Sequence, residues 1–135
     1  MRENKPAEEV QRKKILIIDD HPFFRITIRR KLEEFGHEVY EAEDGFKGLS
    51  RAKEVLPDLI VIDYIMPGKD GLETCREMKK CPELKNVPLV MFTSESVKKV
   101  VVEAIKIGVR DFIAKTTGID IIGAKIQRIL ETLCS

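Results

Sequence analysis

The apolar residues of this chain fall into short uninterrupted runs, separated by longer segments in which apolar residues recur at helical spacing. The runs cover residues 15–18, 59–62, 89–92 and 112–114, and the last of them ends a strand predicted over residues 109–114. Such runs are typical of strands buried on both faces, as in a parallel sheet. A weaker candidate, residues 37–42, alternates apolar and polar side chains, and Val39 is the residue most expected to face the core.

The segments between the runs predict five helices. The first begins at Pro22, which suits an initial helical turn, and ends before Gly36. The second begins at Asp44 and runs through Val55. The others are expected from residues 70, 96 and 118, and the last two end at residues 107 and 133. The expected core side chains of the first three helices are Phe24, Ile28, Leu32, Phe35, Leu49, Ala52, Leu56, Leu72, Cys75 and Met78.

The alternation of strands and helices indicates an α/β domain with a parallel sheet and right-handed crossovers. With 135 residues, the chain is long enough for one domain with a substantial core. Residues 1–12 are polar and charged, and we expect a flexible lead-in there. The domain is therefore expected over residues 13–134.

Charge and cysteine content exclude several classes of function. The 24 lysines and arginines nearly balance the 23 aspartates and glutamates, so we expect no direct binding of nucleic acid. No apolar run approaches the roughly 20 residues of a membrane span, and no export signal is visible, which favours a cytoplasmic protein without membrane insertion. The cysteines Cys75, Cys81 and Cys134 have no C-x-x-C spacing and indicate neither disulfides nor a zinc site.

Polar side chains follow four of the predicted strands at the point where each strand ends. They are Asp19 and Asp20 after the first, Asp63 after the third, Thr93 and Ser94 after the fourth and Lys115 after the fifth. The carboxyl ends of parallel strands form the ligand-binding edge of an open α/β sheet. A lone aspartate at such a place could simply cap a loop, but four polar strand ends in one short domain indicate a site.

The same residues carry a family resemblance. An acid pair follows the first strand, the motif D-x-x-M-P-x-x-D-G spans residues 63–71, and the hydroxyl and lysine positions follow at the family's spacing. The chain thus resembles a response-regulator receiver domain of bacterial two-component signalling, of the chemotaxis-regulator type. The resemblance implies a flavodoxin-like, doubly wound five-stranded parallel sheet of order 2-1-3-4-5 with five helices.

The resemblance also implies a role for each site residue. Asp63 would be the phosphoacceptor. Asp19 and Asp20 would hold Mg²⁺ together with Asp63 and the backbone carbonyl of Ile65. Thr93 and Lys115 would contact the phosphoryl group. Phe112 matches the aromatic switch position that works with Thr93, although a plain core aromatic is an equal alternative. Oxygen ligands of this kind suit Mg²⁺.

The expected partners are a sensor histidine kinase or a phosphotransfer protein upstream and a protein target downstream. The target would bind the face formed by the fourth helix, fifth strand and fifth helix, which could also form a homodimer. That face has an apolar excess, because a helix that buries one side cannot hide Val100, Val101 and Val102 together, and Ile121 next to Ile122 repeats the excess. The chain ends directly after the last helix, so we expect no attached output domain and no enzyme beyond slow self-dephosphorylation.

Three positions depart from the family pattern. Thr116 follows Lys115 where proline is usual, and a cis bond before threonine would cost about 2.5–4 kcal/mol, which favours a trans bond. Ile65 stands where many relatives have a polar residue, and Glu95 is a charged residue across the site from it. His21 is interpreted as a helix-start residue near the site and not as a base or ligand.

Three other classes of protein share parts of this pattern. A pseudo-receiver would signal without phosphate, but the complete set of five polar residues argues against it. An aspartate-nucleophile phosphatase would place a general-acid aspartate two residues after Asp63, where Ile65 stands. A flavin-binding protein would need a phosphate-cradling loop after the first strand, where Asp20 would repel a phosphate.

Overall fold

The computed structural model describes residues 12–94 and 98–133. Residues 1–11 of the predicted lead-in lie outside the described residues, and so do Glu95 and Cys134. The strands are β1 (Lys14–Ile18), β2 (Glu38–Ala42), β3 (Leu59–Asp63), β4 (Leu89–Thr93) and β5 (Asp111–Ala114). The helices are α1 (Pro22–Glu34), α2 (Gly45–Val55), α3 (Gly71–Lys80), α4 (Lys98–Ile107) and α5 (Ile119–Leu133).

The five strands form one parallel sheet in the order β2-β1-β3-β4-β5, as the resemblance implied. In the registers that matter for the site, Ile18 pairs with Ile62 and Asp63 pairs with Phe92. Parallel pairing brings the carboxyl ends of all strands to one edge of the sheet. The residues that follow β1, β3 and β5 therefore meet at this edge.

Successive residues of each strand point to opposite faces of the sheet, and each face is covered by helices. On one face, Leu16, Ile18, Ile60 and Ile62 pack with buried side chains of α2, α3 and α4. On the other face, Ile15, Ile17, Val61 and Phe92 pack with side chains of α1 and α5. Burial on both sides explains why β3 and β4 contain no polar residue before their last position.

Most element boundaries agree with the sequence prediction to within two residues. Strand β5 begins at Asp111 and not at Val109, which is nevertheless buried in the core. The start predicted for the fourth helix, residue 96, lies outside the described residues. In β2, Val39 is only half-buried against the α1 and α5 side, and Ala42 is the one buried residue.

The prediction that Leu56 is buried was wrong. Its side chain is 52% exposed, because Leu56 is the C-cap of α2 and adopts a left-handed backbone conformation with φ of 53°. Leu56 continues the helical spacing that predicted its burial, but the helix itself ends one residue earlier, at Val55. Phe35, which lies just past the end of α1, is likewise partly exposed.

Two helices that flank the site begin at aspartate caps. The side chain of Asp44 accepts a hydrogen bond from the backbone N–H of Lys47, and that of Asp70 accepts one from Glu73. Such caps satisfy backbone donors that a helix leaves unpaired at its first turn. Gly71 at the start of α3 lies against the backbone carbonyl of Asp63, where a Cβ atom would collide with it. The loop after β3 is thus held closely over the end of its strand.

None of the described helices combines the length and the hydropathy that crossing a membrane requires.

Candidate functional site

Three aspartates converge at the carboxyl edge of the sheet, as the strand ends predicted. Asp63 is the last residue of β3 and is 4% exposed, and Asp19, directly after the neighbouring β1, is fully buried. Asp20 is half-buried beside them. One carboxylate oxygen from each, together with a ring nitrogen of His21, forms a set of four atoms that all lie within 4.8 Å of one another.

Lys115 places a positive charge among these acids. Its Nζ atom lies 3.0 Å from Asp63 Oδ2 and 2.8 Å from Asp19 Oδ2. The ammonium also lies 4.6 Å from the centroid of the Phe24 ring, in a cation–π contact. Lys115 follows β5 in a short 3₁₀ turn, Lys115–Thr117, and the described residues contain no cis peptide bond, so the bond to Thr116 is trans.

The surroundings of Asp63 disfavour its charged form. Burial is the largest cause that raises the pKa of its carboxyl group, and the negative charge of Asp19 raises it further. Lys115 lowers this pKa through its hydrogen bond and its charge, but it does not offset the other effects. One ammonium is therefore not enough to balance the buried acids, and a second cation would be stabilised here.

Two buried oxygens point to the same conclusion. Asp19 Oδ2 and Asp20 Oδ1 accept no hydrogen bond from the described residues, although Asp19 Oδ2 is ion-paired with Lys115 outside hydrogen-bond geometry. Unsatisfied buried carboxylate oxygens are costly unless a cation coordinates them. Hard oxygen ligands of this kind fit Mg²⁺. The site therefore suits a divalent ion.

The structure brings His21 into the cluster, which the sequence interpretation did not anticipate. His21 is the N-cap residue of α1, as expected, but its Nδ1 atom lies 3.1 Å from Asp19 Oδ1 and 3.8 Å from Asp63 Oδ2. The signal that could have revealed this is its position directly after the acid pair. A residue there lies at the same sheet edge as the acids.

An open cavity of about 610 Å³ lies over the aspartates. Its lining combines the polar groups of the site with apolar side chains, namely His21, Phe23, Phe24, Asp63, Ile65, Ser94 and Lys115. Phe23 and Ile65 are both largely exposed at its rim. Asp63 lines the floor of this cavity together with Lys115.

Thr93 and Phe112 lie on the two strands beyond Asp63. Thr93 is buried at the end of β4, one position past the residue that pairs with Asp63, and it pairs with Ala114. Phe112 pairs with Met91 on β5, is half-buried, and packs against the core on the α2, α3 and α4 side. The roles of both residues, and of the Ile65 carbonyl, stay predictions.

Comparisons with known proteins agree with this geometry. A family model described as the response regulator receiver domain matches residues 15–127. Chemotaxis protein CheY-3 of Vibrio cholerae is 32% identical over 121 residues, which cover 89% of this chain and 93% of that protein.

Two solved structures show the same fold. Chemotaxis protein CheY4 of Vibrio cholerae superposes with a TM-score of 0.82 at 26% identity, covering 87% of this chain and 98% of that chain. The Mn²⁺-bound form of response regulator Rcp1 superposes with a TM-score of 0.74 at 25% identity, covering 87% and 91%. The chain therefore belongs to the response-regulator receiver domain family.

Proposed function

We propose that the chain is a phosphoacceptor receiver, in which Asp63 takes a phosphoryl group from a sensor histidine kinase or a phosphotransfer protein. The observation that carries this proposal is the position of Asp63. Its buried carboxylate opens onto a cavity, contacts the ammonium of Lys115 and lies beside two further acids. A carboxylate is an accepted covalent nucleophile for phosphoryl groups.

The phosphoryl transfer requires only the phosphohistidine of the donor and the carboxylate of Asp63 as reactants. An oxygen of Asp63 attacks the phosphorus atom of a phosphohistidine, a phosphorus–oxygen bond forms, and the phosphorus–nitrogen bond breaks with its electron pair returning to the imidazole. The product is an acyl phosphate on Asp63. Water later attacks the phosphorus atom, which releases inorganic phosphate and restores the carboxylate.

Asp19, Asp20 and Asp63 would hold Mg²⁺, and the backbone carbonyl of Ile65 would complete the set of protein ligands. The bound ion would neutralise negative charge on the phosphoryl oxygens. Response regulator Rcp1, which shares this fold, has been solved in a Mn²⁺-bound form, and this supports the binding of a divalent ion here. In this chain, support comes from the two buried aspartate oxygens that lack hydrogen bonds to the described residues.

Lys115 would contact the Asp63 carboxylate before transfer and a phosphoryl oxygen after it. The Thr93 hydroxyl would donate a hydrogen bond to a phosphoryl oxygen. Movement of Thr93 would open space for the ring of Phe112. This change would alter the face formed by α4, β5 and α5, where a downstream protein target, or a second copy of the chain, would bind. A contact made in one state only is what allows phosphorylation to shift the equilibrium.

The direct test is incubation with acetyl phosphate and Mg²⁺, followed by intact-mass measurement. The wild-type chain should gain one phosphoryl group, and Asp63→Asn should gain none. Asp120→Asn is the matched control, because Asp120 is an exposed acid at the start of α5 that contacts Lys31 away from the site. It should be phosphorylated like the wild type.

Excess chelator should suppress the adduct in the wild-type chain. An adduct that persists in Asp63→Asn, or that forms equally well without divalent metal, would contradict the proposal. Absence of both an adduct and phosphate release would favour a pseudo-receiver, and release of phosphate too fast for any adduct to accumulate would favour a phosphatase.

A further inference from the structure

We propose that His21 is a fourth protein ligand of the cation site and gives this chain an affinity for Zn²⁺ that three carboxylates alone would not provide. The inference rests on the proposed cation site and assigns to His21 a role that the receiver motif does not contain. Imidazole nitrogen is a preferred ligand of zinc, whereas Mg²⁺ prefers oxygen.

The donor atoms are already spaced as ligands of one ion. His21 Nδ1 lies 3.1 Å from Asp19 Oδ1, 3.4 Å from Asp20 Oδ1 and 3.8 Å from Asp63 Oδ2. Ligands bound about 2.0–2.2 Å from a tetrahedral zinc ion lie about 3.4 Å from one another. The three distances bracket this spacing. Nδ1 is thus the ring nitrogen that would coordinate.

The backbone holds the ring in this place. His21 precedes Pro22, which restricts it to extended conformations, and its φ and ψ of −94° and 103° lie in that region. Its own N–H donates a hydrogen bond of 2.9 Å to Asp19 Oδ1, which ties the residue to the acid beside it. A ligand fixed in this way loses little conformational freedom when an ion binds.

The carboxylates supply the second, independent indication of a ligand. Asp19 is fully buried, and its Oδ2 atom accepts no hydrogen bond from the described residues despite its ion pair with Lys115. The ammonium of Lys115 also lies 3.3 Å from His21 Nδ1. The Lys115 ammonium occupies the space between the acids where a metal ion would bind. It must therefore move away from the His21 ring when Zn²⁺ binds.

A simpler role for His21 is to orient Asp19 by hydrogen bonding, and metal selectivity distinguishes the two. If the ring only positions Asp19, its loss should weaken Mg²⁺ and Zn²⁺ binding alike. If the ring is a ligand, its loss should weaken Zn²⁺ binding selectively.

The chain offers an internal control, because it contains only two histidines. Buried His37 lies at the opposite, amino-terminal edge of the sheet. Its Nδ1 accepts a hydrogen bond from the backbone N–H of Lys13, and its Nε2 lies 2.7 Å from Gln127 Oε1. Both ring nitrogens of His37 are occupied, so Zn²⁺ should leave their resonances unchanged.

The experiment is a titration of the ¹⁵N-histidine-labelled chain with Mg²⁺ and, separately, with Zn²⁺, followed by NMR of the ring nitrogens. We expect Zn²⁺ to shift the Nδ1 resonance of His21 as a directly bound nitrogen and Mg²⁺ not to do so. By calorimetry, His21→Gln should lower Zn²⁺ affinity about tenfold or more, since even outer-shell partners contribute that much. Mg²⁺ affinity should stay within about threefold.

The control variant is Phe35→Gln, which changes a partly exposed ring just past the far end of α1. It should leave both affinities unchanged. An unshifted His21 Nδ1 at Zn²⁺ saturation, or an equal loss of both affinities in His21→Gln, would overturn this inference while leaving phosphorylation of Asp63 with Mg²⁺ intact. Failure of Zn²⁺ alone to bind the wild-type chain would likewise overturn it, and failure of both metals would overturn the cation site as a whole.

Discussion

At the scale of single residues, the surroundings of Asp63 destabilise its carboxylate. Burial and the charge of Asp19 raise its pKa, so in the folded state its carboxylate is less stable than in water. Asparagine has a similar shape and no charge. We therefore expect Asp63→Asn to be more stable than the wild type at neutral pH in chelator-containing buffer, by about 1–2 kcal/mol, the ordinary size of a single-residue effect.

The pH dependence of this difference follows from the direction of the pKa shift. Between the ordinary value of 3.8 and the raised folded value, the folded chain binds more protons than the unfolded chain, so its stability falls as pH rises through that window. The advantage of Asp63→Asn should therefore vanish as pH is lowered through it. Denaturant unfolding at a series of pH values measures this. A variant less stable than the wild type at neutral pH would contradict it, and Asp120→Asn should show no comparable gain.

We expect Ile65 to affect the lifetime of the phosphoryl group that is proposed for Asp63. Its side chain is 60% exposed at the rim of the cavity beside Asp63, and it cannot hydrogen-bond to an attacking water. We expect Ile65→Asn to lose phosphate faster than the wild type, because an amide can orient that water. The decay of the phosphorylated form after removal of the donor measures the rate. An equal or slower rate in the variant would count against this role.

At the scale of elements, the strand ends were the most informative part of the sequence. Apolar runs predicted four of the five strands, and alternating apolar and polar residues predicted β2. The polar residues that follow β1, β3, β4 and β5 predicted which side chains would meet. The helix faces were less predictable. Leu56 continues the helical spacing of α2 but caps the helix, and the contact of His21 with the acids depends on the turn after β1, which no periodicity describes.

Helices α4 and α5 carry exposed apolar side chains that suit a partner. On α4, Val100 is buried and Val102 is about half exposed. On α5, Ile122 is buried and Ile121 is exposed. Each helix therefore buries some of these apolar side chains and exposes others. Ile105 adds to the exposed part of α4. The apolar excess predicted from the sequence is therefore present at the surface.

We expect Val102→Lys and Ile121→Lys to weaken binding of a downstream target or self-association of the phosphorylated chain by about tenfold or more, the effect of losing about 1.4 kcal/mol. Phosphorylation itself should be unchanged, because neither side chain lines the cavity over Asp63. Analytical ultracentrifugation with and without acetyl phosphate measures the self-association. Leu56→Lys, an equally exposed leucine at the end of α2, is the matched control and should have no effect.

At the scale of the whole molecule, the doubly wound sheet brings residues that are distant in the sequence together in one site. The apolar runs predicted a parallel sheet, but they could not determine the strand order. The order came from the family resemblance carried by the acids, hydroxyl and lysine. The order β2-β1-β3-β4-β5 makes β1 and β3 neighbours, so that Asp19 and Asp63 share a buried edge with Lys115.

We propose that the carboxyl edge of the sheet accepts a phosphoryl group on Asp63. Reduction of the phosphorylated chain with borohydride converts an aspartyl phosphate into homoserine, which marks the residue that carried the phosphoryl group. After treatment with acetyl phosphate and Mg²⁺, peptide mapping should find homoserine at position 63 and at no other aspartate, and chelator should abolish it. Homoserine at another position, or none at position 63 in a chain that has gained a phosphoryl group, would contradict the account.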